Sequence, residues 1–533
     1  MIKVAVIGSG PAGVACAHSL LKQKGVLVDM LDTGFNIEPN IAHLENNKEP
    51  ICAKTILKKV RENKLQFLAK HKPLDKLAFG SGYVYKECDA TKLNLNSSAH
   101  FFTSLAKGGL GNVWGANINA LSDIDIKDWP ISAEDLTPYF KLLEEFTPIA
   151  AENSILDNNY DYKLTGKYDF KPSKQAAYVL DNIARNNKHL TQANINIARA
   201  RLAVGKLLSS NQDGCVSCGL CMHGCPYNAI FNPKFVVDKF LTNNRDFNYI
   251  SHTLVEKITE IGGVVNLSIK DLQLNTNKTL KYDRIYVACG SVGSTVLIAR
   301  SLNWTNHEFK FLDSQKYLFP FFLNKRIVGA VGEETNTLAQ ICAQTNNLSS
   351  SNKTLHMQLY GYNDLIVEPL RLRLGEFITN KLVFMGSSLL ERIMIGMVYL
   401  HSDDSGYLKF KVQPDVKKGW GNISGVANPK SKKVYKEFIA NLNKLKTSIG
   451  GSAVSPLTIA NLPGNSQHFG GSLPMKANPG LYETDHIGRP YGMEFTHVVD
   501  TSIFTSIPGT PTTYPVMANA ARIALDSLKL IKR

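Results

Sequence analysis

Four cysteines fall in one short run, Cys215, Cys218, Cys221 and Cys225, and Pro226 follows at once. Intervals of two, two and three residues bring four thiols together, which is the ligand spacing of bacterial-type iron–sulfur proteins. Zinc sites usually split their ligands into two pairs separated by a longer loop. Disulfides belong to secreted chains. Both stand as alternatives to the cluster reading. In two-cluster ferredoxins the fourth Cys of such a run serves the other cluster, yet no second run occurs here. Either Cys225 bends back to complete a [4Fe–4S] cluster, which is the preferred reading, or three ligands hold a [3Fe–4S] cluster. The scattered Cys16, Cys52, Cys88, Cys289 and Cys342 read as small buried hydrophobes.

A second constellation opens the chain. Lys3 to Ile7 reads as a buried strand, Gly8, Gly10 and Gly13 form G-x-G-x-x-G, and Val14 to Lys22 reads as the next helix. The glycines serve a tight turn, close backbone approach to a pyrophosphate, and close helix–strand packing, with the helix N-terminus facing the phosphates. A second strand, Val26 to Leu31, ends at Asp32, where a carboxylate accepts ribose hydroxyls. This context predicts dinucleotide binding, although the pattern by itself does not separate FAD from NAD.

Later segments carry a resemblance. Gly108-Gly109-Leu110-Gly111-Asn112-Val113-Trp114-Gly115 resembles the flavin-contacting loop of the glucose-methanol-choline (GMC) oxidoreductases, and Asp128-Trp129-Pro130-Ile131-Ser132 resembles the segment that follows it in bacterial members. Tyr286 to Thr295 is similar to the family's strand-to-glycine turn near the adenosine half of FAD. His468-Phe469-Gly470-Gly471-Ser472-Leu473-Pro474-Met475 resembles the catalytic-histidine segment, and Val499-Asp500-Thr501-Ser502 the "aspartate-x-serine" signature. These matches run in family order over nearly the whole chain, whereas Thr305 to Ala460 matches nothing specific and is where substrate choice would reside. The resemblance is to the bacterial branch that carries an iron–sulfur cysteine motif in the flavin subunit.

The resemblance implies that the dinucleotide is FAD. It implies cofactor contacts from Gly8, Gly10, Gly13, Asp32, Gly109, Asn112, Trp114, Gly115, Val255, Gly290, Asp500, Pro511 and Thr512, and a base at His468. An alcohol is a poor hydride donor until its proton begins to leave, so a base beside the hydroxyl and a flavin facing the carbon form the minimum set. A neutral imidazole can take that proton. The chain departs from the family at the partner position: many members place Asn or His before a Pro, and here Thr510 precedes Pro511. A threonine hydroxyl can donate one hydrogen bond but is no base near neutrality, so Thr510 is expected only to orient. The helix Tyr514 to Leu528 points its positive end at the flavin, a role that needs only backbone.

The elements that position these residues imply an α/β protein. The expected architecture is a Rossmann-like FAD-binding domain with a discontinuous, α+β substrate-binding domain on an antiparallel sheet. Residues 1–120, 213–305 and 461–533 are assigned to the first domain, with the cysteine segment at 213–230, and 121–212 and 306–460 to the second. Phe247 to Ser251, Val264 to Ile269 and Thr279 to Val287 are expected to supply the FAD-domain sheet. Thr137 is expected to cap a helix that Pro138 opens.

The whole chain of 533 residues is 44% hydrophobic and 20% charged, the composition of a globular protein. Its formal charge of +15 favours anionic partners or surfaces. No nucleic-acid-reading motif appears, so nucleic acid is not expected as a partner. Met1 and Ile2 run directly into the first strand, leaving no room for a signal peptide, from which a cytoplasmic location is expected. The longest apolar stretch, Leu382 to Leu400, is interrupted by Glu391 and Arg392 and falls short of a span. Read as a helix, with Leu365, Leu370, Leu372 and Leu374 preceding it, it packs into the protein, with peripheral attachment at the inner membrane face as the alternative.

The expected function is therefore oxidation of a hydroxyl group on a small-molecule or glycan substrate, a sugar or sugar derivative. Electrons then leave through the cluster to a ferredoxin, flavodoxin or quinone, because a simple oxidase needs no cluster. A reductase running the electrons backwards, and a flavin-containing glycan-binding protein without turnover, stand as alternatives.

Overall fold

The computed structural model describes residues 1–45, 53–68, 76–150, 154–186, 193–205, 214–363 and 366–530. Cys52 and Leu365 lie outside them, as do residues 206–213, which adjoin the cysteine run. Ile2–Ile7, Val26–Leu31 and Arg284–Val287 are nearly continuous apolar runs, as expected of strands covered on both faces. They form a parallel sheet in the order Thr496–Val498, Arg284–Val287, Ile2–Ile7, Val26–Leu31, Phe247–Ile250. The register pairs Ile7 with both Leu31 and Val287, Val287 with Val498, and Leu31 with Ile250. All the strand C-termini therefore end at one level. Gly8, Asp32, Ala288 and Asp500, though far apart in sequence, come out on the same edge, which is where open α/β sheets bind ligands.

The helix Pro11–Leu21 crosses over this sheet and packs along the C-terminal helix Thr513–Lys529. Its inward side is built of small residues, with Ala12, Gly13, Ala15, Cys16 and Ala17 buried. A Cβ on Gly13 would stand 2.0 Å from the Gly8 carbonyl oxygen, so only glycine permits this approach of helix to strand.

Among the described residues three further sheets complete the fold, antiparallel except where Leu93–Leu95 joins Gly421–Val426 in parallel. Thr253–Ile261, Val264–Asp271 and Thr276–Tyr282 form their own meander. Val264 to Ile269 and the first half of Thr279 to Val287 thus leave the parallel sheet in which they were expected. Tight turns join these neighbouring strands, and hairpin connections of this kind make antiparallel partners. Phe469–Gly470, Glu308–Asp313, Tyr407–Val412, Gly421–Val426 and Leu93–Leu95 form a second sheet. A third runs in the order Gly451–Ala453, Lys316–Leu323, Ile393–Tyr399, Leu355–Tyr360, Ile341–Thr345, Asn196–Arg199, and Ile459–Ala460 also pairs on Lys316–Leu323.

Side-chain packing among the described residues forms one large core and two smaller ones, the last built from Ile41, Val60, Phe79, Tyr83 and Leu220 beside the cysteine run. Phe309, Phe311, Leu408 and Phe410 join the core of the parallel sheet. Phe319, Phe321, Met357, Val398 and Phe438 build the core under the third sheet. Two local expectations change. Leu136 is the N-cap of helix Thr137–Leu143, so Thr137 opens that helix. Leu382 to Leu400 is not one helix: it spans the end of helix Glu368–Met385, a short helix Ser387–Leu390, and strand Ile393–Tyr399. Gly386 ends the first helix, and the β-branched and alternating run Ile393 to Tyr399 suits a sheet.

Candidate active site

The crevice beyond the parallel strands opens into a cavity of about 1490 Å³, counting its mouth. Gly8, Gly10, Asp32, Gly109, Val255, Gly290, Asp500 and Thr512 line it. Gly8 has φ +104°, and a Cβ there would lie 2.3 Å from the Ala288 carbonyl oxygen. Gly290, at φ +73°, has open space where a Cβ would stand, so its bare backbone faces the cavity. Helices Pro11–Leu21 and Thr513–Lys529 both begin here with no side-chain cap. Their free N–H groups and positive ends thus suit the anionic parts of a dinucleotide.

Asp32 is buried, bonded by the Ser9 hydroxyl and by the Tyr249 hydroxyl at 3.1 Å. Burial raises its carboxyl to about 6, against the opposing hydrogen bonds. Asp500 caps the short turn Thr501–Ile503 by accepting from the Ser502 amide at 3.0 Å and its hydroxyl at 2.6 Å, and the Ser294 hydroxyl bonds its other oxygen.

The other sequence-assigned residues stand off this wall. Gly13 sets helix packing, and Pro511 is buried just before the helix start. The Asn112 amide donates to the carbonyls of Lys107 at 2.9 Å and Gly109 at 2.8 Å, which folds the glycine loop on itself. Trp114 donates its indole N–H to the Phe231 carbonyl at 2.8 Å. A Cβ on Gly115 would lie 3.7 Å from the Tyr360 hydroxyl, so this loop end meets the third sheet.

His468 follows the cavity-lining Gln467 and precedes Phe469. Its backbone is clamped: its N–H donates to the Ser466 hydroxyl at 2.9 Å, and its carbonyl accepts from the Ser314 amide at 3.0 Å. Ser466 in turn donates to buried Asp313 at 2.6 Å. The imidazole stacks on Tyr399, with ring centroids 5.1 Å apart. Burial, aided by nearby Lys316, lowers its pKa to about 4, so it is a neutral base at pH 7. Four buried polar atoms among the described residues of this region have no protein partner: His468 Nδ1, Thr510 Oγ1, Gln467 Nε2 and Ser314 Oγ. A Cβ on Gly509 would meet the Tyr399 carbonyl oxygen at 2.9 Å, so the segment bearing Thr510 lies against the strand whose tyrosine stacks on His468.

That strand belongs to a polar face which sequence reading missed. The register sets Lys316 opposite Tyr399, Tyr399 opposite His356, and His356 opposite Gln344. His356 has amide groups of Gln344 and Gln358 at its two ring nitrogens, each at 3.2 Å. Tyr360 donates to Gln358 at 2.7 Å. Burial, with His468 nearby, lowers the His356 pKa to about 3. The available signal was alternation: His356, Gln358 and Tyr360 occupy every second position of a strand that is buried throughout.

Cys215, Cys218, Cys221 and Cys225 line one cavity of about 340 Å³ with Val204, Ile230 and Leu338. Positive φ at Ser217, Gly219 and Gly224 winds the run around it. The Ser217 amide points at the Cys215 sulfur at 3.4 Å, and backbone N–H groups also reach Cys218 and Cys225. Burial pushes the thiols of Cys215 and Cys218 up to about 12 and raises that of Cys225, so only a cationic group would hold them as thiolates. Among the described residues no three His, Cys, Asp or Glu side chains converge on a point where they could hold one metal ion. Four sulfurs spread around a common cavity, with amides aimed at them, fit the corners of a multi-iron cluster.

A further cavity lies against both the glycine loop and the cysteine run. It is lined by Gly111, Asn112 and Trp114 on one side and by Cys221 and Cys225 on the other, while Gly109 and Leu110 of the same loop line the dinucleotide cavity. One glycine-rich turn is thus the wall between them. Lys76 donates to the Trp114 carbonyl at 3.1 Å and lies near Cys221 and Cys225.

In comparisons with known proteins, the family described as 4Fe-4S binding domain matches residues 209–231. No curated protein sequence matches the chain. Among solved structures, the chain is similar to pyridoxine 4-oxidase from Mesorbium loti at 11% sequence identity, with a TM-score of 0.59 and 99% of each chain covered. The two share a fold over their full lengths.

Proposed function

We propose that this chain is an FAD-dependent dehydrogenase of the GMC type that oxidises a hydroxyl group of a sugar or sugar-derived substrate and passes electrons through a [4Fe–4S] cluster to an external acceptor. The observation that carries the reading is the shared loop, since Gly109 and Leu110 line the dinucleotide cavity and Gly111, Asn112 and Trp114 line a cavity reaching Cys221 and Cys225. A flavin and a cluster on opposite sides of one turn are within reach for electron transfer. FAD supplies a two-electron hydride acceptor and the cluster a one-electron carrier. The likeness to a protein named as an oxidase supports the oxidoreductase class.

The chain's own residues divide the remaining work. Asp32 accepts hydrogen bonds from ribose hydroxyls, and the two uncapped helix ends favour the pyrophosphate and the electron-rich end of the flavin. His468 Nδ1, neutral and otherwise unpartnered, takes the hydroxyl proton of the substrate. Thr510 Oγ1 donates a hydrogen bond to the same oxygen, and the Tyr399 ring stacks on the imidazole and orients it. His356, Gln358 and Tyr360 form the polar wall that suits a substrate with several hydroxyls. A ferredoxin, flavodoxin or quinone takes the electrons onward.

The test is anaerobic mixing of purified holoprotein with a panel of sugars, sugar acids and polyols. Bleaching of the flavin absorbance followed by a reduced-cluster EPR signal supports the reading. Flavin that no hydroxylated substrate reduces, or a preparation with zinc in place of iron, defeats it.

A further inference from the structure

The segment Phe377 to Met385 of helix Glu368–Met385 turns large apolar side chains to solvent. Phe377 is 84% exposed, Phe384 82% and Met385 70%, and Ile378, Leu382 and nearby Leu389 are also open. At 100° per residue, Phe384, Phe377, Lys381, Met385, Ile378 and Leu382 fall within an arc of about 160°. Thr379, outside that arc, is buried and faces the protein. Gly375, at φ +78°, breaks the helix just before this segment, so the segment takes a direction of its own. The loop beside it carries Val328, 71% exposed.

Cations rim this surface. Lys325 and Arg326 are exposed in the adjoining loop, which is tied to the patch by the bond from the Ile327 amide to the Glu391 carbonyl. Arg392 follows directly, and its guanidinium lies over the Phe322 ring at 5.9 Å. Lys446, whose carbonyl accepts from Asn324, is exposed at the same end of the sheet. Of the acids near this edge, Glu391 is buried and paired with Arg326 at 2.6 Å, and Glu333 accepts from the Lys174 amide. Lys381 is the decisive residue. The centre of a protein–protein interface is depleted of lysine, whereas a lysine amid apolar side chains at a bilayer lays its stem along them and lifts its ammonium to the phosphates.

We propose that this helix segment lies in the interfacial plane of an anionic lipid bilayer. Phe377, Phe384 and Met385 enter the acyl boundary, while Lys381, Lys325 and Arg392 contact headgroup phosphates. The attachment is by lying on the membrane, since no helix among the described residues is long and apolar enough to cross one. The chain's formal charge of +15 acts in the same direction. This inference is independent of the proposed reaction.

The experiment is flotation of purified holoprotein with vesicles of phosphatidylcholine alone or with about 30% phosphatidylglycerol. Wild type should float with the anionic vesicles, and less so as salt is raised. The double variant F377S/F384S should partition about 100-fold less or weaker still. Flavin absorbance and circular dichroism should match wild type, because both side chains are exposed. Wild type that stays with the dense fraction, or a variant that floats as well as wild type, overturns the proposal. Equal flotation on neutral vesicles overturns the headgroup contacts. If sedimentation velocity finds a lipid-free dimer that F377S/F384S splits, the patch is a self-interface and the lipid proposal falls.

Discussion

His468 Nδ1 and Thr510 Oγ1 are buried without protein partners, and leaving such groups unpaired is costly. Their chemistry differs. The imidazole can carry a proton away, whereas the hydroxyl can only orient an oxygen. His468→Ala should therefore slow anaerobic flavin reduction by about 10² to 10⁴ with FAD still bound, the scale of a lost general base. Thr510→Ala should cost far less, and equal stopped-flow rates for wild type and His468→Ala would remove the histidine from the reaction. The pH dependence follows from the same burial. With its pKa lowered to about 4, His468 is free base at neutrality, so the rate should hold level as pH falls and drop only as pH approaches 4. A fall centred near 6.5, the ordinary imidazole value, would mean that the residue is open to water.

At the scale of elements, the glycine turn after Ile7 and the cysteine run are both shaped by backbone that only certain residues tolerate. In Gly8→Ala the new methyl would press on the Ala288 carbonyl from a left-handed backbone. The expected cost is about 2 kcal/mol or more, with weakened FAD retention after gel filtration. Wild-type retention of FAD by this variant would contradict the assigned turn geometry. For the cysteines, replacing Cys215, Cys218 or Cys221 by Ser should abolish the iron signal and slow reoxidation by one-electron acceptors, yet leave flavin reduction by substrate largely intact, because hydride transfer comes first. Cys225→Ser is the informative case. A change from a [4Fe–4S] to a [3Fe–4S] EPR signature identifies Cys225 as the fourth corner, and an unchanged spectrum means that the native site is already three-coordinate or recruits another residue.

For the molecule as a whole, the dinucleotide cavity is lined by Ala90, Val416, Trp420 and residues within 7–33, 102–110, 253–256, 288–300, 467–469 and 500–516, so one ligand would tie distant parts of the chain together. Binding to the folded state alone stabilises by about 2.7 kcal/mol at a hundredfold excess over Kd. Removal of FAD should accordingly lower the midpoint of thermal unfolding by about 2 °C or more. The same experiment tests attachment: acid precipitation should release yellow flavin into the supernatant, and flavin left on the pellet would mean a covalent link.

The glycine fingerprint, Asp32 and the cysteine spacing were legible in the sequence because their meaning is local. A tight turn, a helix start or a cluster loop is specified by neighbours within a few residues, and the parallel strands announce themselves as apolar runs. The loop Gly108 to Gly115 could be read as a flavin-contacting segment, but not as the wall between two cavities, since the cysteines behind it arrive from residues more than a hundred positions away. Likewise His356, Gln358 and Tyr360 looked like one more alternating strand. Only cross-strand register, which sets His356 opposite Tyr399 and so beside His468, turns that alternation into a polar wall. The apolar run from Leu382 shows the same limit from the other side. Its composition suited a core helix, yet packing left Leu382, Phe384 and Met385 facing solvent and drew Ile393 to Tyr399 into the sheet. Which face of an element is covered depends on what the rest of the chain brings against it, and periodicity along one segment carries no record of that.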